Sequence, residues 1–382
     1  MSDITLTAGI RQNLLSLQHT SADLTTTQEQ LATGKKVNSA ADNPSSYFTS
    51  QNLTNTANSL SALLDQVGQG QQTINAATDG LQGISSLLQQ ALATVQQAQQ
   101  ASQTAGSTTG TVAITTATVG TAATGNLSIL VGSSTYTISV SASETASAIE
   151  AAINATTGLG SSGAVTASDN GSGKIILTAN SGSTDFSVKD NATAEALGLT
   201  ASGTDTAVYG TSSTRTTLQS NYNGLLTQIN QLAADASYNG VNLLTGDDLT
   251  IDFNQAGTSS LTITGVTFNY AGLGLSQISG SASGSFQDSS ALTSAVTAIN
   301  DAITTVQTQT ETFGTNSGVI GTRQTFMTNL INTLQTGASN LVLADQNQAS
   351  ADLLTEQTQQ QLEISALSIA NQANQSVLKL FP

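Results

Sequence analysis

The stretch SYFTSQNLTNTANSLSALLDQVGQGQQTINAATDGLQGISSLLQQALATVQQAQQASQ (residues 46–103) decides the fold class of this chain. Its apolar side chains recur at alternating intervals of four and three residues, the heptad pattern of a coiled-coil helix. At ~1.5 Å per residue such a helix is about 85 Å long, so it needs long helical partners. The predicted seam positions are Leu53, Ala57, Leu60, Leu64, Val67, Gln71, Ile74, Thr78, Leu81, Ser85, Leu88, Leu92 and Val95.

The residues before this stretch predict a shorter helix with its own seam. Gly34 ends the periodic pattern, as glycine commonly does just beyond a helix. A polar link carrying Pro44 then leads into the long helix. The seam positions of the short helix are Ile10, Leu14, Leu17, Ser21, Leu24, Gln28 and Leu31.

The C-terminal residues predict the long partners. A helix is expected from Ser290 to Phe313, a break at Gly314–Gly318, and a further helix from Val319 to Leu380. Its distal seam is expected at Leu362, Ala366, Ile369, Ala373, Val377 and Leu380. Three polar residues, Asp345, Gln348 and Asp352, fall at expected seam positions before this tail and indicate looser packing there.

Between the helical ends, glycine, serine, threonine and valine become frequent and the pattern changes to strands. Alternating residues at 126–131 and 135–140 predict a hairpin. A capping box at Ser141–Glu144 predicts the start of a short helix. Further short strands and a helix at 194–199 follow, so 107–214 is expected to be a small α+β insert. A helix at 216–236 and a second hairpin, over 249–253 and 261–268, come after it.

The predicted fold class is therefore mostly α: a long antiparallel helical coiled-coil core from both termini with a β-hairpin, plus an inserted small α+β outer domain. The expected boundaries are 1–45 for the N-terminal axial helix and linking loop, 46–106 for the long core helix, 107–214 for the insert, 215–284 for a core helix and hairpin, 285–340 for the C-terminal core helices and 341–382 for the C-terminal axial helix.

The composition argues against several classes of function. With 8 Lys and Arg against 24 Asp and Glu, the net charge of −16 disfavours nucleic-acid binding. The chain has no cysteine, so thiolate metal sites and cysteine nucleophiles are absent. His19 is the one histidine, and the Asp169–Gly173 turn lacks the spaced acidic ligands of a calcium loop. We therefore expect no enzyme activity, cofactor or metal, and no membrane insertion.

Three elements, in the same order as in that family, resemble bacterial flagellin. The stretch LATGKKVNSAADNPS (31–45) is similar to the loop joining the first two flagellin helices. The stretch YNGVNLL (238–244) is similar to the element before the core hairpin. The stretch QLEISALSIANQANQSVLKLF (361–381) resembles the closing helix. The insert resembles the small α+β repeat found in variable regions of flagellins and hook-cap proteins.

The resemblance implies the structural subunit of a helical flagellar filament, the propeller for motility. It also implies unfolded, signal-independent export to the cell exterior and a homopolymer of this chain. The implied partners are hook-associated junction and cap proteins and an export chaperone on the C-terminal helix. Axial packing is expected at Leu14, Leu17, Leu24, Leu31, Leu362, Ile369, Val377 and Leu380. The amphipathic ends could instead form only an intramolecular coiled coil, and the sequence leaves both interpretations open.

Two departures from the family pattern affect these expectations. The insert interrupts the N-terminal half, whereas many flagellins carry theirs after the core hairpin. A degenerate receptor-recognition patch replaces the cationic family motif, which implies weak activation of the mammalian flagellin-sensing receptor. Its residues are Gln82, Gly83, Ser85, Ser86 and Leu87.

Three other functions can be compared with that of a filament subunit. The hook–filament junction protein shares similar ends, but its loop usually differs from the residues at 38–44. A metalloprotease insert, known in some flagellins, needs a His-Glu-x-x-His zinc site, and this insert has no histidine. A surface display role for the insert, with O-glycosylation of its many Ser and Thr, is compatible with a filament subunit.

Overall fold

The computed structural model of the chain describes residues 8–114, 124–160, 163–182, 184–281 and 283–380, without the side chains of 374 and 377–380. Two compact units are present. The terminal unit comprises Met1–Gln69, Ile251–Leu261 and Val319–Pro382, and the central unit comprises Gly70–Thr250 and Thr262–Gly318. Within the described residues, no helix is both long and apolar enough to cross a membrane.

Helices account for most of the described chain, as the heptad patterns predict. The two longest, α2 and α6, contribute residues to both units. The helices are α1 (Ala8–Thr33), α2 (Pro44–Gln100), α3 (Ala146–Ala155), α4 (Ala192–Ala196), α5 (Ser213–Asp235), α6 (Ser289–Val342) and α7 (Gln346–Leu380).

The strands form three small sheets, all paired antiparallel where the pairing is described. In chain order they are β1 (Ser107–Thr109), β2 (Gly125–Val131), β3 (Ser134–Val140), β4 (Val165–Asp169), β5 (Ile175–Ala179), β6 (Phe186–Val188), β7 (Thr206–Val208), β8 (Leu249–Asp252) and β9 (Ser260–Ile263). Their spatial orders are β1-β5-β4, β3-β2-β6-β7 and β8-β9. Strands β1 and β7 were not predicted, because three-residue strands carry too short a pattern to detect.

In the terminal unit, α1 runs antiparallel to α7, and the first part of α2 packs against the last part of α6. The Ser50 hydroxyl donates to the Ala338 carbonyl at 3.0 Å, which fixes the second pair. The hairpin contributes Phe253, whose ring centroid lies 5.2 Å from the Arg323 guanidinium carbon. That distance suits a cation–π contact.

From Val67 onward, the buried seam of α2 differs from the predicted seam at every second position. Ala57, Leu60, Val67 and Ile74 are buried as predicted. The intervening buried residues are Gly70, Ala77, Ile84 and Ala91, in place of the predicted Gln71, Thr78, Ser85 and Leu92. Both sets satisfy a heptad spacing, so the sequence pattern alone did not distinguish them.

The predicted helix break at Gly314–Gly318 is wrong, because α6 passes through these residues without interruption. Each helical glycine costs about 1 kcal/mol relative to alanine. Burial of Phe313 and Ile320 on either side opposes that cost.

The interruption occurs instead at residues 343–345, where continuous helix was predicted. The N–H groups of Lys36 and Val37 both donate to the Val342 carbonyl, at 2.7 and 3.3 Å. Asp345, which was expected in the seam, accepts the Asn347 N–H at 3.0 Å and so caps α7. Gln348 and Asp352 are exposed, so the expected loosely packed seam stretch is also wrong.

The insert has its own apolar core in the central unit. Helix α3 covers the two small sheets with Ile149 and Ile153, and both residues are fully buried. Thr145 caps this helix by accepting the Ala148 N–H at 3.2 Å, so the capping box predicted at Ser141–Glu144 is wrong. The Asp169 carboxylate accepts the Gly171 and Gly173 N–H groups, which accounts for the turn between β4 and β5.

The two ends of the insert lie side by side. Thr104 and Thr211 exchange two backbone hydrogen bonds, of 2.7 and 2.9 Å. Beside them Arg215, only 4% exposed, donates to the carbonyls of Ala101 and Phe286 at 3.3 and 3.2 Å. The attachment of the insert is therefore a hydrogen-bonded junction.

Asp185 of the insert also contacts this junction, since it accepts the Ser289 N–H at the start of α6 at 3.4 Å. Burial raises the pKa of the Asp185 carboxyl, and the like charge of Asp288 adds to the effect. The N–H groups of Ser289 and Gly210 and the charge of Arg215 oppose it.

Candidate assembly interface

Helices α1 and α7 form an antiparallel pair whose seam contains many polar side chains. On α1 the seam positions are Ile10, Asn13, Leu17, Thr20, Leu24, Thr27 and Leu31, all buried or half-buried. On α7 they are Ala349, Leu353, Glu356, Gln360, Glu363, Leu367 and Ala370. Both sets are spaced alternately by three and four residues, which is knobs-into-holes spacing.

Two glutamates of α7 form polar layers within this seam. Glu363 Oε1 accepts the hydroxyls of Ser16 and Thr20, at 2.7 and 3.1 Å. Glu356 Oε1 accepts the Thr27 hydroxyl at 3.1 Å. In the described part of the chain, the Oε2 atoms of both glutamates are buried and lack a hydrogen-bond partner.

The sequence analysis missed these polar layers because it searched for apolar periodicity. A detectable signal was present: Thr20 and Thr27 are seven residues apart, and so are Glu356 and Glu363. A polar residue repeated at the heptad interval on two facing helices is the pattern that fixes coiled-coil register.

The opposite face of α7 is apolar and has no partner within the described chain. Leu354, Leu362 and Ile369 are 67, 66 and 67% exposed. Their separations of eight and seven residues place them on one side of the helix. Exposed leucine and isoleucine side chains aligned on one side of a helix are typical of an interaction face.

The residues expected to form the axial packing fall into three groups. Leu17, Leu24 and Leu31 are half-buried in the α1–α7 seam. Leu14, Leu362 and Ile369 point away from it and are exposed. The side chains of Val377 and Leu380 lie outside the described residues. The first group is therefore engaged within the chain, while the second is free to contact another molecule.

Exposed apolar side chains and charges are distributed unevenly over the two units. Among the described residues, 13 large apolar side chains are exposed, and ten of them belong to the terminal unit: Leu14, Leu15, Phe48, Val319, Phe326, Leu343, Leu354, Leu362, Ile364 and Ile369. The sequence of that unit has five cations and ten carboxylates, against three cations and fourteen carboxylates in the central unit. The terminal unit therefore exposes more large apolar side chains and has a smaller net charge than the central unit.

The expected receptor-recognition patch lies on α2 beside a groove against α6. Gln82 and Ser86 are exposed, whereas Gly83, Ser85 and Leu87 are half-buried. Glu311 is the charged side chain among the described residues that line the groove. A Cβ atom at Gly83 would lie 2.5 Å from Leu232 Cδ2, so this position faces α5.

No arrangement suited to catalysis was found in the described residues. His19 is exposed on α1. The described residues contain no cluster of three or more His, Cys, Asp or Glu that could hold a metal ion.

Both helical ends of the chain match families of known proteins. Residues 7–118 match the bacterial flagellin N-terminal helical region, and residues 296–381 match the bacterial flagellin C-terminal helical region. Flagellin FljM of Caulobacter vibrioides is 27% identical over 383 residues, covering all of this chain and 99% of that protein.

Two further relatives come from the same organism. Flagellin FljK is 26% identical with the same coverage. Flagellin FljN is 38% identical over 88 residues, which is 23% of this chain and 32% of that protein. The chain belongs to the flagellin family, a family of structural proteins of the bacterial flagellum.

Proposed function

We propose that this chain is the main structural subunit of a flagellar filament, exported from the cell and polymerised outside it. The observation that carries the proposal is the exposed apolar row of Leu354, Leu362 and Ile369 on α7. Burying one such side chain stabilises an assembly by about 1.5–3 kcal/mol. A row repeated in every copy therefore supplies a strong driving force for polymerisation.

The proposed contact is heterologous, because the apolar row of one copy packs against a different surface of the next. Heterologous contacts that do not close into a ring generate open helical polymers. Such a polymer transmits rotation along its length as thrust. The polar seam of α1 and α7 keeps each helix pair in register, while the outer row contacts the neighbouring copy.

We also propose the partners that the family resemblance implies. Junction and cap proteins would contact the two ends of the polymer. An export chaperone would cover the apolar row of α7 before assembly, because a row this exposed promotes aggregation inside the cell.

The test is seeded self-assembly of the purified full-length chain. Short filament seeds are added to the monomer and the products are viewed by negative-stain electron microscopy. Long tubes of uniform width support a filament subunit. The second candidate, a hook–filament junction protein, predicts monomers or short rings that stop growing, and that result would refute the proposal.

The substitution Ile369→Asp tests the apolar row directly. Since Ile369 is 67% exposed, the charge should leave the thermal unfolding of the monomer almost unchanged. It should nevertheless prevent polymerisation, because an unpaired charge buried at the contact costs several kcal/mol. The control is Gln357→Asp, which adds the same charge at an exposed position on another side of α7. Normal filament yield from the Ile369 variant would contradict the role of this row.

A further inference from the structure

A groove in the terminal unit lies where the link between α1 and α2 meets the end of α6. Its volume is about 570 Å³. Tyr47 and Ser50 of α2 form one wall, Ala338 and Val342 of α6 form the other, and Lys35 lies at its edge. The lining also includes an apolar side chain open to solvent, since Leu343 is 49% exposed.

The backbone that carries the two adjacent lysines is held by hydrogen bonds to the segment after α6. Lys35 pairs with Leu343 in an antiparallel bridge. On either side of it, the Lys36 N–H donates to the Val342 carbonyl at 2.7 Å, and the Ala344 N–H donates to the Gly34 carbonyl at 3.0 Å. Pre-ordered groups lose less entropy when a partner binds.

Lys35 and Lys36 form no ion pair with any residue in the described part of the chain, and both are exposed. The carboxylates of the two chain segments that meet at the groove, Asp42 and Asp345, are engaged elsewhere. Asp42 accepts the N–H groups of Ser39 and Asn38, which lower the pKa of its carboxyl. Asp345 caps α7.

Two adjacent lysines without ion-pair partners are unusual in a chain this acidic. Among eight cations, Lys35 and Lys36 are the one adjacent pair, and the net charge is −16. Copies of so acidic a chain repel one another, so close packing needs local attraction at the contacts. Exposed carboxylates without a recorded partner in the described residues are available in the same unit, at Asp23, Glu29 and Asp352.

We propose that this groove receives a helix of a second copy of the chain that carries exposed carboxylates, with Lys35 in the groove and its sequence neighbour Lys36 paired to those carboxylates. The inference rests on the proposed filament function and adds a contact separate from the apolar row of α7. Leu343 supplies the apolar part of the contact, and the lysines select an acidic partner surface. Charge pairs at the edge of an apolar contact fix orientation and register.

Charge reversal at the groove tests the proposal. Lys35→Glu and the control Lys174→Glu in the insert each make the net charge of a copy more negative by two. The critical concentration for seeded assembly should rise about tenfold for Lys35→Glu, equivalent to ~1.4 kcal/mol, because attraction becomes repulsion. It should change less than twofold for the control.

The outcomes of this measurement separate the two proposals. Failure of the unsubstituted chain to form filaments refutes the filament function. Filament formation with equal critical concentrations for both variants overturns the groove contact alone. Similar thermal unfolding of the two monomers checks that neither substitution damages the fold.

A cross-linking experiment identifies the partner surface. Filaments grown from mixed isotope-labelled and unlabelled chains are treated with a carbodiimide, which joins lysine amines to nearby carboxylates. Mass spectrometry should then find Lys35 or Lys36 of one isotope form joined to an acidic peptide of the other. Lysine links confined to single copies, or no links from these two lysines, would overturn the proposal.

Discussion

Gly80 determines how closely α2 approaches the end of α5. A Cβ atom at this position would lie 2.6 Å from the Ala236 Cβ and 2.8 Å from Leu244 Cδ1. The Ala236 Cβ is fixed by the backbone and cannot rotate away. The heptad pattern of α2 did not predict this packing role of Gly80.

Replacing Gly80 by alanine should therefore destabilise the protein. Overpacking of this kind typically costs 1–3 kcal/mol, which outweighs the ~1 kcal/mol that alanine gains over glycine in a helix. The control is Gly224→Ala on α5, where a Cβ atom would meet nothing within 4 Å. That variant should be stabilised by about 0.5–1 kcal/mol. Urea unfolding followed by circular dichroism measures both, and equal stabilities would contradict the packing role.

At the scale of single residues, the sequence predicted which side chains are apolar but not which neighbour each one faces. Ile84 was passed over as a seam residue, and Ser85 was chosen in its place. The two positions are adjacent and each fits the repeat. Close approach of α5 at Gly80 and Gly83 selects between them, and that contact joins residues more than a hundred positions apart.

Among the helical elements, the α1–α7 pair is weakened by its polar layers. Thr27 is only 7% exposed, and its hydroxyl is the recorded partner of Glu356. A carboxylate removed from water needs its hydrogen bonds, and a polar group left unpaired there is costly. The polar layers therefore make the helix pair less stable but fix its register, as polar residues in coiled-coil seams commonly do.

A double-mutant cycle measures the interaction energy between Thr27 and Glu356. Thr27→Val alone should lower the free energy of unfolding by about 2 kcal/mol, because Glu356 loses its hydrogen bond. Combining it with Glu356→Leu should recover that loss, since no unpaired polar group remains. The measurement is urea unfolding of the monomer followed by the helical signal at 222 nm. A double variant no more stable than Thr27→Val would contradict the proposed pairing.

The helices and hairpins were largely predictable, because their patterns are local. The break between α6 and α7 was not predictable from local sequence. The local signal for a helix end lies in the glycines at 314–318, where the helix in fact continues. The observed break depends on Lys36 and Val37, whose N–H groups donate to the Val342 carbonyl. Such a contact between segments 300 residues apart leaves no periodic trace in either segment.

For the whole molecule, the separation of apolar and charged surface between the two units is the main organising feature. The terminal unit carries most of the exposed apolar side chains and a net charge of −5, whereas the central unit carries −11. Apolar, weakly charged surface favours contact between copies, and acidic surface favours solvation. The sequence predicted the helical ends as the assembly region, and this distribution supports that proposal.

The insert is attached in a way that makes it separable from the helices. Thr104 and Thr211 are hydrogen bonded to each other, so a short linker can replace everything between them. The apolar core of the insert is formed within its own elements, including Leu127, Ile149 and Val188. Its removal therefore leaves no large apolar surface on the helices.

Deleting residues 105–210 and joining the ends with a short Gly-Ser linker should preserve filament assembly. The hydrogen bond from Arg215 to the Ala101 carbonyl joins residues on both sides of the deletion and is retained. The seeded assembly assay should give tubes at a critical concentration within about twofold of the full chain, because α1, α7 and the lysine groove are unchanged. The control deletion, residues 130–180, cuts through the insert core and exposes the remaining core residues Leu127 and Val188, so it should aggregate instead. If the 105–210 deletion yields only folded monomers, contacts between inserts of neighbouring copies are required for assembly, and the terminal unit alone is insufficient.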